Sequence, residues 1–437
     1  MTSANLSSHS LKVAIIGSGP SGFYAAEALF KQNIPIKIDM FEKLPTPFGL
    51  LRGGIAPDHQ QMKSLQNYYE KIVIKHENQF ELFANIHVGQ DISIKKLREY
   101  YDALIFCYGT EQDRRLNIKN ETLSGIHSAT AFVGWYNGHP NHTHHKFNLS
   151  HQTATIVGLG NVAMDIARLL IKPASALTSF DIPDYALKVF KKNTIQNIHL
   201  IGRRGPLQAA FTFPELKTIS ELNCNILINT SDLLLNTSSQ QELDSGKNIK
   251  GKRNFELLTL LSKQKHLPNR KNLHFHFLKT TKQLIGKNHL QEIVFSKNTL
   301  QGSPFSQKAT PTDQTSNIQS SLMFKSIGYL GEPLLNSPFE LVNNKIPNNK
   351  GRILYNQKTI PGLYTAGWIK RGPSGVIGTN KKCSIETVNS LIEDLPKLQR
   401  KSTCLKSIKE YFKKHHLKPI SFNDWQKINA EIGRAHV

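Results

Sequence analysis

The chain has only four cysteines, Cys107, Cys224, Cys383 and Cys404, and they are far apart in the sequence. No CxxC or CxxxxC pair exists, so the cysteines signal neither an iron–sulfur cluster, a zinc site nor a redox-active dithiol, and no metal is expected. Reduced structural thiols in a cytosol-like compartment are the default reading. Long apolar runs are missing too: none approaches the roughly 18 residues of a membrane-spanning helix. The opening MTSANLSSHS has no arginine and no apolar core. It resembles neither a secretory signal nor an arginine-rich transit peptide, and reads as a short disordered lead-in. Acidic residues are scarce, 32 Asp and Glu against 55 Lys and Arg, which leaves a net charge of +23. Such a balance implies an acidic partner, nucleic acid or an anionic surface, or else lysines spread over a solvated surface. A nucleic-acid reading needs a concentrated basic face or a recognised binding motif. The sequence has neither, so no nucleic-acid partner is expected.

At 437 residues, 39% of them hydrophobic, the chain can build two to three domain cores. It is organised around Leu11 to Glu42, which reads as strand, glycine turn, helix and strand, closing on an acid. Gly17, Gly19 and Gly22 form GxGxxG directly after the apolar run Val13 to Ile16, and Glu42 follows twenty residues after the last of them. The three glycines suit a tight turn, close approach of backbone to a pyrophosphate, and close packing of helix on strand. Glu42 is then placed to accept hydrogen bonds from a ribose diol. The next segment, Lys43 to Ser64, is rich in Pro and Gly and carries the polar residues Arg52, Asp58 and His59. A loop this long inside a compact domain is usually functional. A helix is expected near Met62 to His76, a strand near Glu81 to Val88, and a buried strand at Tyr101 to Tyr108. From periodicity that last strand either returns to the first sheet or begins the next domain.

A second glycine signature lies at Thr153 to Leu170, where Gly158, Gly160 and Ala163 form GxGxxA between the strand Ala154 to Val157 and a helix starting at Asn161 or Val162. The following strand, Ile198 to Ile201, ends in Gly202-Arg203-Arg204-Gly205. An acid at this strand end suits a ribose 2′-hydroxyl, whereas adjacent arginines suit a 2′-phosphate, so the second site prefers NADP(H) to NAD(H). Solvated arginines are the bland alternative. The polar segments Ser238 to Asn254 and Gln301 to Ser321 read as surface loops. Leu273 to Leu278 and Leu290 to Phe295 are expected as a hairpin-like addition to the second domain, and Leu322 to Tyr329 as the strand that crosses back. Nothing between Asn225 and Ser321 suggests chemistry. A third glycine-punctuated stretch, Gly362 to Leu395, pairs a short strand at Leu363 to Ala366 with a helix at Thr379 to Leu395. It is either an ordinary strand–helix connection or a helix N-terminus that favours a developing anion such as a reduced flavin ring. Beyond Pro396 the chain is rich in Lys and His, with an amphipathic helix expected near Leu405 to Lys414. The final EIGRAHV, Glu431 to Val437, matches the translation of a common sequencing adapter and reads as a scar.

Together these blocks carry a resemblance. GSGPSGFYAA, EKLPTPFGLLRGGIAPDH, FVGWYNGHP, GLGNVAMDIAR, IGRRGPLQAAFT and GWIKRGPSGVIGT resemble the adrenodoxin reductase-like ferredoxin–NADP reductases. The likeness runs from about Val13 to Leu395 and weakens at Ser238 to Asn254 and Gln301 to Ser321. It implies an α/β fold of two Rossmann-like dinucleotide-binding domains, glutathione reductase-like, with the NADP domain inserted in the FAD domain. The expected boundaries are 1–107 and 328–395 for the FAD domain, 108–327 for the NADP domain and 396–437 for a basic extension. The resemblance implies FAD on the first signature, with Ser21 at the turn, Glu42 on the adenosine ribose, Leu50 and Val88 lining the site, and Trp368, Gly375, Val376 and Ile377 along the flavin. It implies NADP on Gly158, Leu159, Gly160, Asn161, Val162, Arg203, Arg204 and Glu215. His59 and Glu215 match polar positions near the redox centre, with a catalytic role as the functional expectation and structural partners as the alternative. The implied activity passes electrons from NADPH through FAD to an acidic ferredoxin-type iron–sulfur protein. A monomer in a bacterial cytoplasm is expected, or in a mitochondrial matrix if the source is eukaryotic. Other readings on this fold are a disulfide reductase, a glutamate-synthase-type small subunit or a diaphorase. A basic nucleic-acid-binding redox sensor is the reading from another class.

Overall fold

The computed structural model describes residues 10–398 and 407–434. The lead-in expected at residues 1–10 lies almost wholly outside them. The chain forms two compact units: one comprises the described residues of Met1–Arg52, Gln60–Gln112 and Tyr329–Val437, the other Gly53–His59 and Asp113–Gly328. The second unit thus interrupts the first in sequence.

In the first unit five strands run parallel, in the order Lys358–Thr365, Ala103–Phe106, Leu11–Ile16, Ile36–Phe41 and Phe80–Phe83, and two short antiparallel strands extend the sheet beyond Lys358–Thr365. Leu11–Ile16 is buried at every position but Lys12, and Ala103–Phe106 at every position. Strands covered on both faces read as continuous apolar runs in this way. The helix Pro20–Phe30 returns the chain from the first strand to the second, the crossover that parallel pairing requires. The expected helix at Met62 to His76 is broken into Gln60–Lys63 and Leu65–Lys75. The segment beyond Pro396 is built into this unit. Its expected helix spans Ile408–Lys414, with Leu405 and Lys406 outside the described residues. Ile420 pairs with Ala84, Phe412 packs edge-on against Phe83, and Trp425 is fully buried beneath the Arg52 guanidinium, 4.6 Å from the ring centroid. The last helix, Phe422–Arg434, runs into the stretch read as a scar.

The second unit is a six-stranded parallel sheet, ordered Ile126–Ser128, Leu322–Lys325, Thr153–Val157, Asn197–Ile201, Lys271–His276 and Cys224–Ile228. A separate antiparallel sheet of Lys279–Ile285, Glu292–Gln301 and Lys308–Gln319 belongs to the same unit. Three sequence expectations are corrected here. Leu273 to Leu278 and Leu290 to Phe295 do not form a hairpin, because the former sits inside the parallel sheet and the latter in the small one. Ser238 to Asn254 is not a loop: it contributes to the helices Thr237–Asp244 and Ile249–Leu261, whose N-caps are the side chains of Asn236 and Asn248. Gln301 to Ser321 is mostly the strand Lys308–Gln319, which is too exposed to show apolar alternation. Among the described residues, no helix is long and apolar enough to cross a membrane.

Candidate functional site

In an open parallel sheet, ligands bind beyond the C-terminal strand ends, where the strand order reverses. In the first unit Gly17 follows the strand end Ile16, Glu42 follows Phe41, and Gly367 lies two residues past Thr365. Gly17 has φ of 105°, and a Cβ there would lie 2.7 Å from the backbone of Cys107 and Tyr108, so only glycine makes this turn. At Gly22 a Cβ would sit 2.2 Å from the Gly17 carbonyl oxygen, which ties the helix to the turn. Gly19, the N-cap of Pro20–Phe30, differs: a Cβ there would meet nothing within 4 Å. The helix start, whose first N–H groups lack intrahelical partners, is therefore open to an approaching acceptor.

Glu42 is buried and bound to this turn. Its Oε2 accepts from the Ser18 amide at 3.1 Å and the Ser18 hydroxyl at 2.7 Å, and its Oε1 accepts from the Leu44 amide at 3.0 Å. Burial raises its pKa against the pull of those donors. A carboxylate has about four lone-pair positions, so one remains for an outside hydroxyl. Phe48, fully buried at φ of 80°, donates its amide to the Ser18 carbonyl at 3.0 Å. That left-handed conformation is costly for a bulky residue and brings Gly49 against Gly19. Leu50 opens the short helix Leu50–Gly53 just beyond and is half-buried. Val88 is a core residue, packed with Phe41, Phe83 and Ile86.

The last glycine stretch reaches the first one within the same unit. A Cβ on Gly367 (φ 80°) would strike the Ser21 hydroxyl at 2.0 Å, and the Ser384 hydroxyl donates to the Ser21 carbonyl at 2.9 Å. Trp368 starts a short helix and donates its indole N–H to the Ser374 carbonyl at 3.2 Å. Gly375 (φ 78°) and the exposed Val376 lead into Ile377–Asp394, where the Val376 amide donates to Thr379 Oγ1 at 3.2 Å. Arg371 bridges both ends of this loop through Nη2 to Asn380 Oδ1 at 2.8 Å, yet its Nε and Nη1 are buried without a hydrogen-bond partner. Buried donors left in this state fit an acceptor supplied by a bound molecule.

In the second unit Gly158 has φ of 126°, and a Cβ there would clash with the Ser326 carbonyl oxygen at 2.0 Å, while Gly160, the N-cap of Asn161–Ile171, faces open space. The Leu159 carbonyl accepts from the amides of Ala210 and Phe211 at 3.0 and 2.9 Å, and Asn161 Oδ1 accepts from the Thr212 amide at 2.8 Å. Val162 packs on the core. Arg203 and Arg204 are exposed at the end of Asn197–Ile201, and no carboxylate among the described residues is within ion-pair distance of either. Burial and the Arg203 charge both lower the Arg204 pKa. Lys250 joins them: it donates to the Ala209 carbonyl at 3.0 Å, and Arg204 adds to the burial that lowers its pKa. Sequence reasoning missed Lys250 because its helix was read as a loop.

His59 and Glu215 meet, Nε2 to Oε1 at 3.0 Å, inside a buried ion cluster. Arg168, 1% exposed, donates Nε and Nη2 to the two oxygens of Asp58 at 2.8 Å each, and contacts Asp165 at 2.7 Å and Glu215 at 3.3 Å. Lys172 reaches Asp58 at 2.7 Å. Burial works against the Asp58 charge, but hydrogen bonds from Arg168 and Lys172 prevail and hold its pKa at about 2. Burial prevails at Asp165 and lifts its pKa to about 6. Three carboxylates thus face two fixed cations, Arg168 and Lys172, with the His59 imidazole against Glu215. Asp165 and Arg168 escaped the sequence reading, although their spacing puts them on one helix face.

The hydrogen bond to Glu215 raises the His59 pKa, against burial. A histidine whose folded pKa is raised lends stability that is full below its unfolded value of about 6.5 and is lost as pH rises through the folded value. We predict that His59→Gln destabilises the protein by about 1.5–3 kcal/mol in mild acid, the range for a hydrogen bond to a charged group, and by progressively less at alkaline pH. Denaturant melts over a pH series measure the difference, and a pH-independent difference would contradict the assignment.

No family model matches the chain. It is 37% identical to the mitochondrial NADPH:adrenodoxin oxidoreductase of Arabidopsis thaliana, across 98% of this chain and 92% of that one. It is 36% identical to the NADPH-ferredoxin reductase FprA of Mycobacterium tuberculosis, across 96% and 93% respectively. The solved structure of Mycobacterium tuberculosis FprA in complex with NADPH aligns with a TM-score of 0.89 at 36% identity, covering 97% of this chain and 94% of that one.

Proposed function

The chain belongs to the adrenodoxin reductase-like family of NADPH–ferredoxin reductases, and on that premise we propose that it binds FAD in the first unit and NADP(H) in the second and passes electrons from NADPH to a ferredoxin-type iron–sulfur protein. The observation that carries this reading is the pair of glycine turns, each with two glycines or one that steric contact demands and one, Gly19 or Gly160, that faces open space at a helix start. Two such seats suit two dinucleotides. Bound FAD would supply the step that side chains cannot, accepting two electrons from NADPH and returning them singly.

The chain's own residues bind and orient. Glu42 takes the adenosine ribose of FAD, and the N-terminus of Pro20–Phe30 takes its pyrophosphate. The unpartnered Arg371 donors and the N-terminus of Ile377–Asp394 favour negative charge on the flavin side of the unit. Trp368 and Leu50 supply apolar walls, and Val88 supports them from the core. Leu159 to Val162 seat NADP(H), with Arg203 and Arg204 on its 2′-phosphate. Glu215 and His59 hold a proton in a fixed place and act by positioning, since hydride chemistry belongs to the cofactors. The protein works as a monomer in a compartment that holds a ferredoxin, bacterial cytoplasm or mitochondrial matrix.

The surplus of +23 favours an acidic ferredoxin, because complementary charge raises encounter rates by about 10–1,000-fold and salt removes that gain. NADPH-driven reduction of an acidic ferredoxin is expected to slow at least about tenfold between low and high ionic strength. A salt-insensitive rate, measured at subsaturating ferredoxin, would exclude electrostatic docking.

A further inference from the structure

The face of the second unit's parallel sheet carries a cluster that the reading above does not use. His274 on Lys271–His276 lies directly opposite His199 on Asn197–Ile201. Strand alternation places His276, two residues on, on the same face. One ring nitrogen from each of the three lies within 4.8 Å of the others. Nδ1 of His199 and Nε2 of His276 are 2.9 Å apart. Two imidazolium rings, which only donate, cannot share such a contact, so the cluster centre presents a neutral imidazole lone pair. The alternate residues of these strands, Ile198, Leu200, Leu273 and Phe275, fill the core, whereas the three histidines are only partly buried. An amide ladder flanks them: Asn197 Oδ1 accepts from Asn272 Nδ2 at 3.1 Å and lies 3.4 Å from Nε2 of His274.

We propose that His199, His274 and His276 form a binding site for one divalent transition-metal ion of the zinc class. The ligand set is all imidazole with no carboxylate, which suits zinc, cobalt, nickel or copper and not the hard cations calcium and magnesium. Tetrahedral zinc, with Zn–N of about 2.0–2.1 Å, holds two ligand nitrogens roughly 3.3 Å apart. The His199–His276 pair therefore has to open by only about 0.4 Å. The ring that donates in the metal-free pair moves its proton to its other nitrogen, so both lone pairs face the ion and no proton is lost overall. Asn197 supplies the outer hydrogen bond that fixes a ligating ring, and water fills the fourth position. The ion would clip together two adjacent strands, the first of which leads into Arg203 and Arg204, and would stabilise the unit by mass action.

The test uses full-length protein, freed of metal with chelator and titrated with cobalt(II), whose tetrahedral d–d bands fall at red wavelengths beyond flavin absorption. The expected result is saturable binding of one ion with a tetrahedral spectrum, and a melting temperature raised by added zinc. His199→Asn and His276→Asn should each weaken binding at least about tenfold, the lower limit even for lost outer-shell partners. His144→Asn, in the separate histidine-rich segment His139 to His145, should leave binding unchanged. A reading that needs no variant is the copper(II) resonance spectrum, whose nitrogen hyperfine pattern should fit three imidazoles. No saturable binding, or binding that survives both strand substitutions and falls with His144→Asn, would overturn the proposal.

Discussion

Replacing Arg203 and Arg204 together with glutamine is expected to lower kcat/KM for NADPH by about two to four decades and to leave kcat/KM for NADH nearly unchanged. The magnitude follows from two charge-assisted hydrogen bonds to the 2′-phosphate at about 1.5–3 kcal/mol each, converted at about 1.4 kcal/mol per decade. The loss should fall on KM more than on kcat, because the 2′-phosphate is bound equally before and during electron transfer. Both side chains are exposed and without an ion-pair partner among the described residues, so their removal leaves no buried charge stranded. The turn itself is held by backbone contacts: Asn298 Nδ2 donates to the Arg203 carbonyl at 2.7 Å, and the Leu278 amide donates to the Arg204 carbonyl at 3.1 Å. Steady-state kinetics with both nucleotides check the prediction. Equal losses for NADPH and NADH would sink the assignment.

Arg168→Leu is expected to destabilise the protein by about 3–5 kcal/mol at neutral pH, the cost of removing one partner from a buried ion pair. Arg168 is the cation shared by Asp58, Asp165 and Glu215, and leucine would leave those carboxylates with only Lys172 and His59. Because Asp58 has a lowered pKa, its pairing contributes stability above its unfolded value of about 3.9 that is lost as pH falls through about 2. The cost of Arg168→Leu should therefore shrink in acid. Adding Asp58→Asn should recover part of it, since an unpaired amide costs less to bury than an unpaired carboxylate. Denaturant melts of the two single variants and the double variant give the coupling, and a cost below about 1 kcal/mol, the level of exposed pairs, would show the network to be unimportant.

The two glycine turns were legible from sequence because backbone conformation dictates residue type there: Gly17 and Gly158 have positive φ and face backbone atoms that no Cβ could approach. The cluster around Arg168 was not, since its members come from a loop, two positions on one helix and the first turn of another. Asp58 drew notice as a polar loop residue, and His59 and Glu215 as polar positions near the redox centre, but only the fold joins them to Asp165 and Arg168. Polarity misled at Ser238 to Asn254, where Asn248 suggests a loop but caps a helix, as Asn236 does just before the segment, and where Ser239 and Glu242 are buried by polar contacts from Gln307 and Asn248. Leu273 to Leu278 was misassigned because its alternate histidines mimic a half-solvated hairpin, although the strand pairs on both sides. The three clustered histidines escaped notice for a related reason, since His199 and His276 are 77 residues apart and metal-site spacing rules are local.

The central claim is that electrons pass from NADPH through bound FAD to a ferredoxin, and an anaerobic titration of the purified protein tests it most directly. The account predicts a yellow protein that one equivalent of NADPH bleaches, far faster than NADH does, and whose colour returns as two equivalents of an acidic ferredoxin are reduced. A colourless protein, or a yellow one that NADPH does not bleach, would contradict it.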